Sequence, residues 1–136
     1  MSIVLDTSAV LAFMVATDDF NAAAVALFAR TDEDLVTTPV ALAEMDHLVT
    51  QRGGREAAEV LWSNFENGAF LVRWWADALT QTLAVARAHP SVGLADASLV
   101  ALSGLLRTNR IATFDQHFRV MTTPHGESFV LLPDDN

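Results

Sequence analysis

No cysteine occurs in the chain, which excludes disulfide bonds and thiolate metal ligation. Lysine is absent as well: all eight basic residues are arginine, against 17 acidic residues, for a net charge of −9. A field of that sign repels polyanions, because phosphate contacts normally dominate nucleic-acid affinity. It suits a basic partner protein better, and any nucleic-acid chemistry needs local arginines or bound cations to reverse the sign. Long apolar runs are also missing. Those present, such as residues 9–16, fall far short of the roughly 20 residues a bilayer span requires, so no membrane role is expected. The opening Met1-Ser2-Ile3-Val4-Leu5-Asp6 has neither the basic start nor the cleavage site of a secretory signal, which makes the cytoplasm the expected location.

What is present describes a folded chain. Its 136 residues are 51% hydrophobic and 18% charged, enough for one buried core and too apolar for disorder. A single domain over residues 1–136 follows, with the last few residues, Asp134, Asp135 and Asn136, expected to fray. Short apolar runs at residues 2–5, 35–38, 70–74, 111–114 and 129–132 read as strands. Between them, helical patterns cover residues 7–14, 20–30, 39–52, 55–66, 76–88 and 94–106, with Pro39 suited to a first turn and Gly53-Gly54 as a break. Alternating strands and helices predict an α/β fold with a mainly parallel sheet covered on both faces.

Four acids take defined places on that scaffold. Asp6 and Asp115 directly follow strands. Glu44 lies about one turn inside the helix leaving the second strand, and Asp96 opens the helix that leads back to the strand at Ile111. All four therefore meet the carboxyl edge of the sheet, where open α/β sheets place their ligands. Each also has an ordinary reading. Asp6 and Asp115 could be helix caps, and Glu44 could be solvated. Asp96 is harder to dismiss, because core-type residues surround it and a lone buried carboxylate is costly. Clustered carboxylates repel one another, and a hard divalent cation such as Mg2+ or Mn2+ relieves that repulsion. Such a site suits water-mediated hydrolysis of a phosphodiester.

At these residues the chain resembles PIN-domain ribonucleases, specifically VapC-type toxins of type II toxin–antitoxin systems. Ile3-Val4-Leu5-Asp6-Thr7-Ser8-Ala9 is similar to the family's first motif. Glu44 and Asp46, within Pro39-Val40-Ala41-Leu42-Ala43-Glu44-Met45-Asp46-His47-Leu48, resemble the second. Asp96 in Gly93-Leu94-Ala95-Asp96-Ala97-Ser98-Leu99 matches the third, and Thr113-Phe114-Asp115-Gln116-His117-Phe118 the fourth. The likeness spans nearly the whole chain.

The resemblance implies a three-layer α/β/α PIN fold and an Mg2+- or Mn2+-dependent endoribonuclease that cuts structured RNA such as tRNA or rRNA. It also implies a cognate VapB-type antitoxin and a homodimer. Asp6 and Asp96 are the implied direct metal ligands, with Asp115 direct or through water and Glu44 on a metal-bound water or second metal. Thr7 and Thr113 are candidates to support the site, or else serve as a helix start and strand filler. Arg110 and Arg119 flank the last motif and either touch RNA phosphates or balance charge. Gln116 stands where many relatives carry arginine.

Several side chains read as bystanders. Asp46 points to a different helix face from Glu44 and reads as a solvated or interface residue. His47 and His117 read as surface or packing residues. Phe65, Trp62, Trp74 and Trp75 read as core or dimer contacts rather than base-stacking groups, and the early helices as a groove for a second copy or the antitoxin.

Other families with an acid after the first strand fit less well. A haloacid-dehalogenase-like phosphatase wants a second aspartate where Ser8 stands, and a receiver domain needs a lysine. The alternative of another class is a PIN-like module that is catalytically silent and only binds a partner.

Overall fold

The computed structural model describes residues 1–135. The chain runs β1 (Ser2–Leu5), α1 (Thr7–Met14), α2 (Asn21–Arg30), β2 (Asp34–Thr37), α3 (Pro39–Glu66), β3 (Leu71–Val72), α4 (Ala78–Ala88), α5 (Leu94–Leu106), β4 (Arg110–Ala112), a 3-10 turn (Gln116–Val120) and β5 (Val130–Leu132). Local chemistry accounts for the main boundaries. Asp6 caps α1 by accepting from the Ser8 amide, and Thr38 caps α3 by accepting from Ala41 at 3.1 Å. Pro39 opens α3, where its missing N–H costs nothing. The break expected at Gly53-Gly54 is a kink within α3, with Gly54 at φ 68°, a conformation glycine adopts without penalty.

The five strands form one parallel sheet in the order β3-β2-β1-β4-β5. Going from β1 to β3 the chain steps one way across the sheet, and from β3 to β5 it steps the other way. Right-handed crossovers then place helices on both faces, giving the expected α/β/α layering. The order reverses between β1 and β4, so a crevice opens there at the carboxyl edge. Ile3, Val4 and Leu5 pack with Ile111, Leu131 and Leu132 and with Leu99 and Leu102 of α5 in the buried core.

Two expectations need correction. The strand foreseen over residues 70–74 shrinks to Leu71–Val72, an edge strand that β2 supports on one side only. Trp74 is exposed, which leaves the dimer-contact alternative for it, whereas Phe65 and Phe70 pack together, ring centres 5.6 Å apart. Asp134 and Asp135, foreseen as frayed, are held: Asp135 accepts two bonds from Arg119 at 2.9 Å and one from the Leu131 amide, and Asp134 accepts from Gln116. Asn136 lies outside the described residues. Among those described, no helix is long and apolar enough to cross a membrane.

Candidate metal centre

The reversal of strand order brings the ends of β1 and β4 together, and with them Asp6 and Thr113. Asp6 is almost fully buried. Its Oδ2 accepts from the hydroxyls of Ser8 and Thr113, both at 2.7 Å. Each hydroxyl in turn accepts a backbone amide: Phe114 N–H donates to Ser8 Oγ at 2.9 Å, and Asp115 N–H to Thr113 Oγ1 at 3.0 Å. One buried carboxylate thus orients two hydroxyls, and they fix the backbone that presents Asp115. Burial pushes the Asp6 carboxyl above its ordinary range; the Thr113 and Ser8 hydrogen bonds oppose the shift, and nearby Asp115 adds to it.

Asp115 and Asp96 face each other across His117. Asp115 caps the 3-10 turn, its Oδ1 accepting from the His117 amide at 3.1 Å. That turn swings the imidazole back over the site. Its Nδ1 meets Asp115 Oδ1, and its Nε2 lies 2.7 Å from Asp96 Oδ2. One ligand-type atom from each of Asp96, Asp115 and His117 falls within 4.8 Å of the others. Asp96 sits in the first turn of α5, where burial, then Asp6, raises its carboxyl to about 6; His117 offsets part of this, and Glu44 adds to it.

The starts of α3 and α5 are locked together beside this group. The Thr38 hydroxyl lies 2.6 Å from Ser98 Oγ, which itself donates to the Ala95 carbonyl. This holds Glu44 and Asp96 on the same edge. Glu44 is exposed and stays outside the 4.8 Å group, as does Asp6, although both are felt electrostatically by Asp96.

The donor set fits a divalent cation. Carboxylates that raise one another's proton affinity call for positive charge between them. A doubly protonated imidazole or a cation satisfies the two carboxylates that His117 now bridges.

Not every candidate lies here. Arg110, considered as an RNA contact, opens β4 and so stands at the amino edge of the sheet, paired with Glu33 at 2.6 Å. Arg119 is occupied by Asp135 and by Gln116 Oε1 at 2.7 Å, so neither arginine is free for phosphate. Thr7 is buried at the start of α1, but its hydroxyl has no hydrogen-bond partner; Thr113 does support the acids. Asp46 accepts from the Trp62 indole, away from the acids.

Two side chains were not foreseen as part of the site. Ser8 had no role of its own within the first motif, and His117 read as surface or packing. The Asp-x-His spacing of residues 115–117 carries the signal for His117, because an aspartate that caps a turn folds the residue two positions on back toward itself.

The PIN-domain family model matches residues 3–123. Ribonuclease VapC26 of Mycobacterium tuberculosis is 31% identical over 134 residues, which span 96% of this chain and 99% of that protein. Among solved structures, VapC20 of Mycobacterium tuberculosis, a Sarcin-Ricin loop cleaving toxin, superposes with a TM-score of 0.77 at 24% identity, covering 84% of this chain and 90% of its own. VapBC2 of Rickettsia felis, solved with a DNA fragment from their promoter, superposes with a TM-score of 0.65 at 13% identity, covering 96% and 97%. At those identities the two structures support the fold.

Proposed function

The chain belongs to the PIN-domain family, and from that premise we propose that it is a metal-dependent endoribonuclease, the toxin of a toxin–antitoxin pair. The observation that carries this reading is the convergence of Asp6, Asp96 and Asp115 at the strand-order reversal. In addition, a relative 31% identical over almost all of both chains is a ribonuclease. Asp6, Asp96 and Asp115, with Glu44 at the rim, would hold Mg2+ or Mn2+. When bound, the ion supplies Lewis-acid stabilisation to the phosphodiester and acidifies a water. The chain's own part is to set the geometry: Ser8 and Thr113 orient Asp6, and Asp6 through them places Asp115. Structured RNA such as tRNA or rRNA is the proposed substrate, and the phosphate meets the cation rather than the −9 field of the protein.

The same field favours a basic antitoxin of the VapB type, which shields the acids when bound. Exposed Val25, Val60, Trp62, Val72, Trp74 and Leu79 offer apolar surface for that partner and for the second copy of a homodimer. The test is incubation of the purified chain with total RNA in chelator, Mg2+ or Mn2+, with the cut ends mapped. Metal-dependent cuts at defined positions are expected. Intact RNA under both metals, from protein free of antitoxin, would favour a silent partner-binding module instead.

Thr113→Val gives a second test. It removes a donor to Asp6 and the acceptor of the Asp115 amide. We expect a loss of about 1–3 kcal/mol in a urea titration and Mn2+ binding weaker by about 10–100-fold in calorimetry. Thr113→Ser should keep both near normal. A valine variant that binds Mn2+ like the parent would show that Thr113 fills the strand and does no more.

A further inference from the structure

Beside Asp115 lies a pocket of about 320 Å³, bordered by Ser8, Phe20, Arg52, Phe114 and Gln116. Phe20 is half exposed, yet its ring is held parallel to that of Phe114, with centres 4.7 Å apart and planes 8° from coincidence. Phe114 is the residue before Asp115, and its amide is tied to Ser8, so the stack is anchored to the acidic site itself. Phe20 stands at the N-terminus of α2, where Asp18 supplies the turn: its Oδ1 accepts from the Phe20 amide at 2.9 Å. The half-exposed ring therefore serves neither the helix cap nor the core cluster. Arg52 completes the pocket. It is half exposed, and its contact with Asp18 is a loose 3.6 Å.

We infer that Phe20, stacked on Phe114, is a platform for one unpaired base of the RNA next to the scissile phosphate, with Arg52 beside it for a backbone phosphate. Aromatic faces accept any base, and arginine meets phosphate or stacks. The platform thus adds affinity in a chain whose overall charge opposes RNA. The inference rests on the ribonuclease reading of the adjoining acids and names how their substrate is held. It also sets a requirement on the substrate: a base splayed from its helix, so a loop or bulge rather than a continuous duplex.

The experiment uses the full chain and a short RNA oligonucleotide spanning a mapped cut site. Phe20→Ala should raise KM about ten-fold, the scale of one base–aromatic stack, with kcat changed less than two-fold. Phe20→Trp should restore KM and lose indole emission as RNA is added, whereas Phe20→Leu, which still covers Phe114, should not restore it. Replacing successive nucleotides of the RNA by abasic ones should reproduce the loss at one position in the parent, and that position should be silent in Phe20→Ala. Arg52→Ala should weaken binding and flatten its salt dependence. Phe20→Leu behaving as the parent, or Phe20→Ala changing kcat alone or nothing, would overturn the platform while leaving the nuclease intact; a Phe20→Ala that loses only antitoxin binding would reassign the pocket to the protein partner. A parent that cuts no RNA overturns both readings together.

Discussion

Asp96→Asn should cut RNA cleavage by roughly three orders of magnitude and, in chelator, make the protein more stable. The two effects share one cause. Asp96 is held near three other acids, with burial and then Asp6 raising its carboxyl to about 6 from an ordinary 3.8. In the folded chain the proton is bound more tightly than in the unfolded chain, so this group's stability contribution is fully present below about pH 4. It falls as pH rises toward 6 and is flat beyond. At neutral pH the bare carboxylate therefore costs on the order of 2–3 kcal/mol, which a neutral amide of the same shape avoids. For a chain of this length that is a rise of several degrees in Tm. Cleavage should fall roughly 10³-fold, because Lewis-acid stabilisation is worth several kcal/mol and about 1.4 kcal/mol is a factor of ten. Melting curves in chelator between pH 4.5 and 7.5 check the first part: the parent should lose stability across that range faster than the variant. A variant that melts lower than the parent at pH 7.5, or that cuts RNA at the parent's rate, would refute the assignment.

Phe118→Ala should have the largest effect on the fold. Phe118 is fully buried, meets Phe129 edge-on at 5.8 Å, and lies under the His117 ring with centres 4.9 Å apart. Truncating a buried phenylalanine costs about 3–5 kcal/mol, a large share of the roughly 5–15 kcal/mol that holds a domain together. The damage is also local to the site. The 3-10 turn that carries His117 and follows Asp115 is anchored through Phe118, so the acids lose their mutual placement even where the fold survives at low temperature. Phe118→Leu, closer in volume, should cost less than about 1.5 kcal/mol. Urea titration measures the first quantity and Mn2+ calorimetry the second. An alanine variant within 1 kcal/mol of the parent would mean that the turn is held by other contacts.

What could be read from the sequence divides along physical lines. Strand–helix alternation, the Pro39 start and the glycine break are local, and local chemistry placed them. Chain direction alone put Asp6, Glu44, Asp96 and Asp115 on one edge, because each follows a strand or opens a helix that leaves or returns there. Ser8 was not legible in this way. Its hydroxyl matters through contacts with Thr113 and Phe114, more than 100 positions away, and only strand order brings them near. Arg110 takes the charge-balance alternative, because nearness in sequence is not nearness in space. An extended chain rises about 3.3 Å per residue, so five positions before Asp115 lie at the other end of the strand. For Arg119, the carboxylate that occupies it, Asp135, belongs to a tail that composition alone assigns to solvent. The short β3 reflects its edge position, which no residue pattern announces.

The hydrogen bond from Thr113 to Asp6 has a consequence in time as well as space. It joins residues 107 positions apart, and β4 with its 3-10 turn follows α1 to α5 in the chain. While the chain is still being synthesised, Asp6 is complete but has neither Thr113 nor Asp115 to work with. The acidic centre therefore assembles only once β4 and its 3-10 turn have emerged. On the ribonuclease reading proposed above, the chain is inert toward RNA until then.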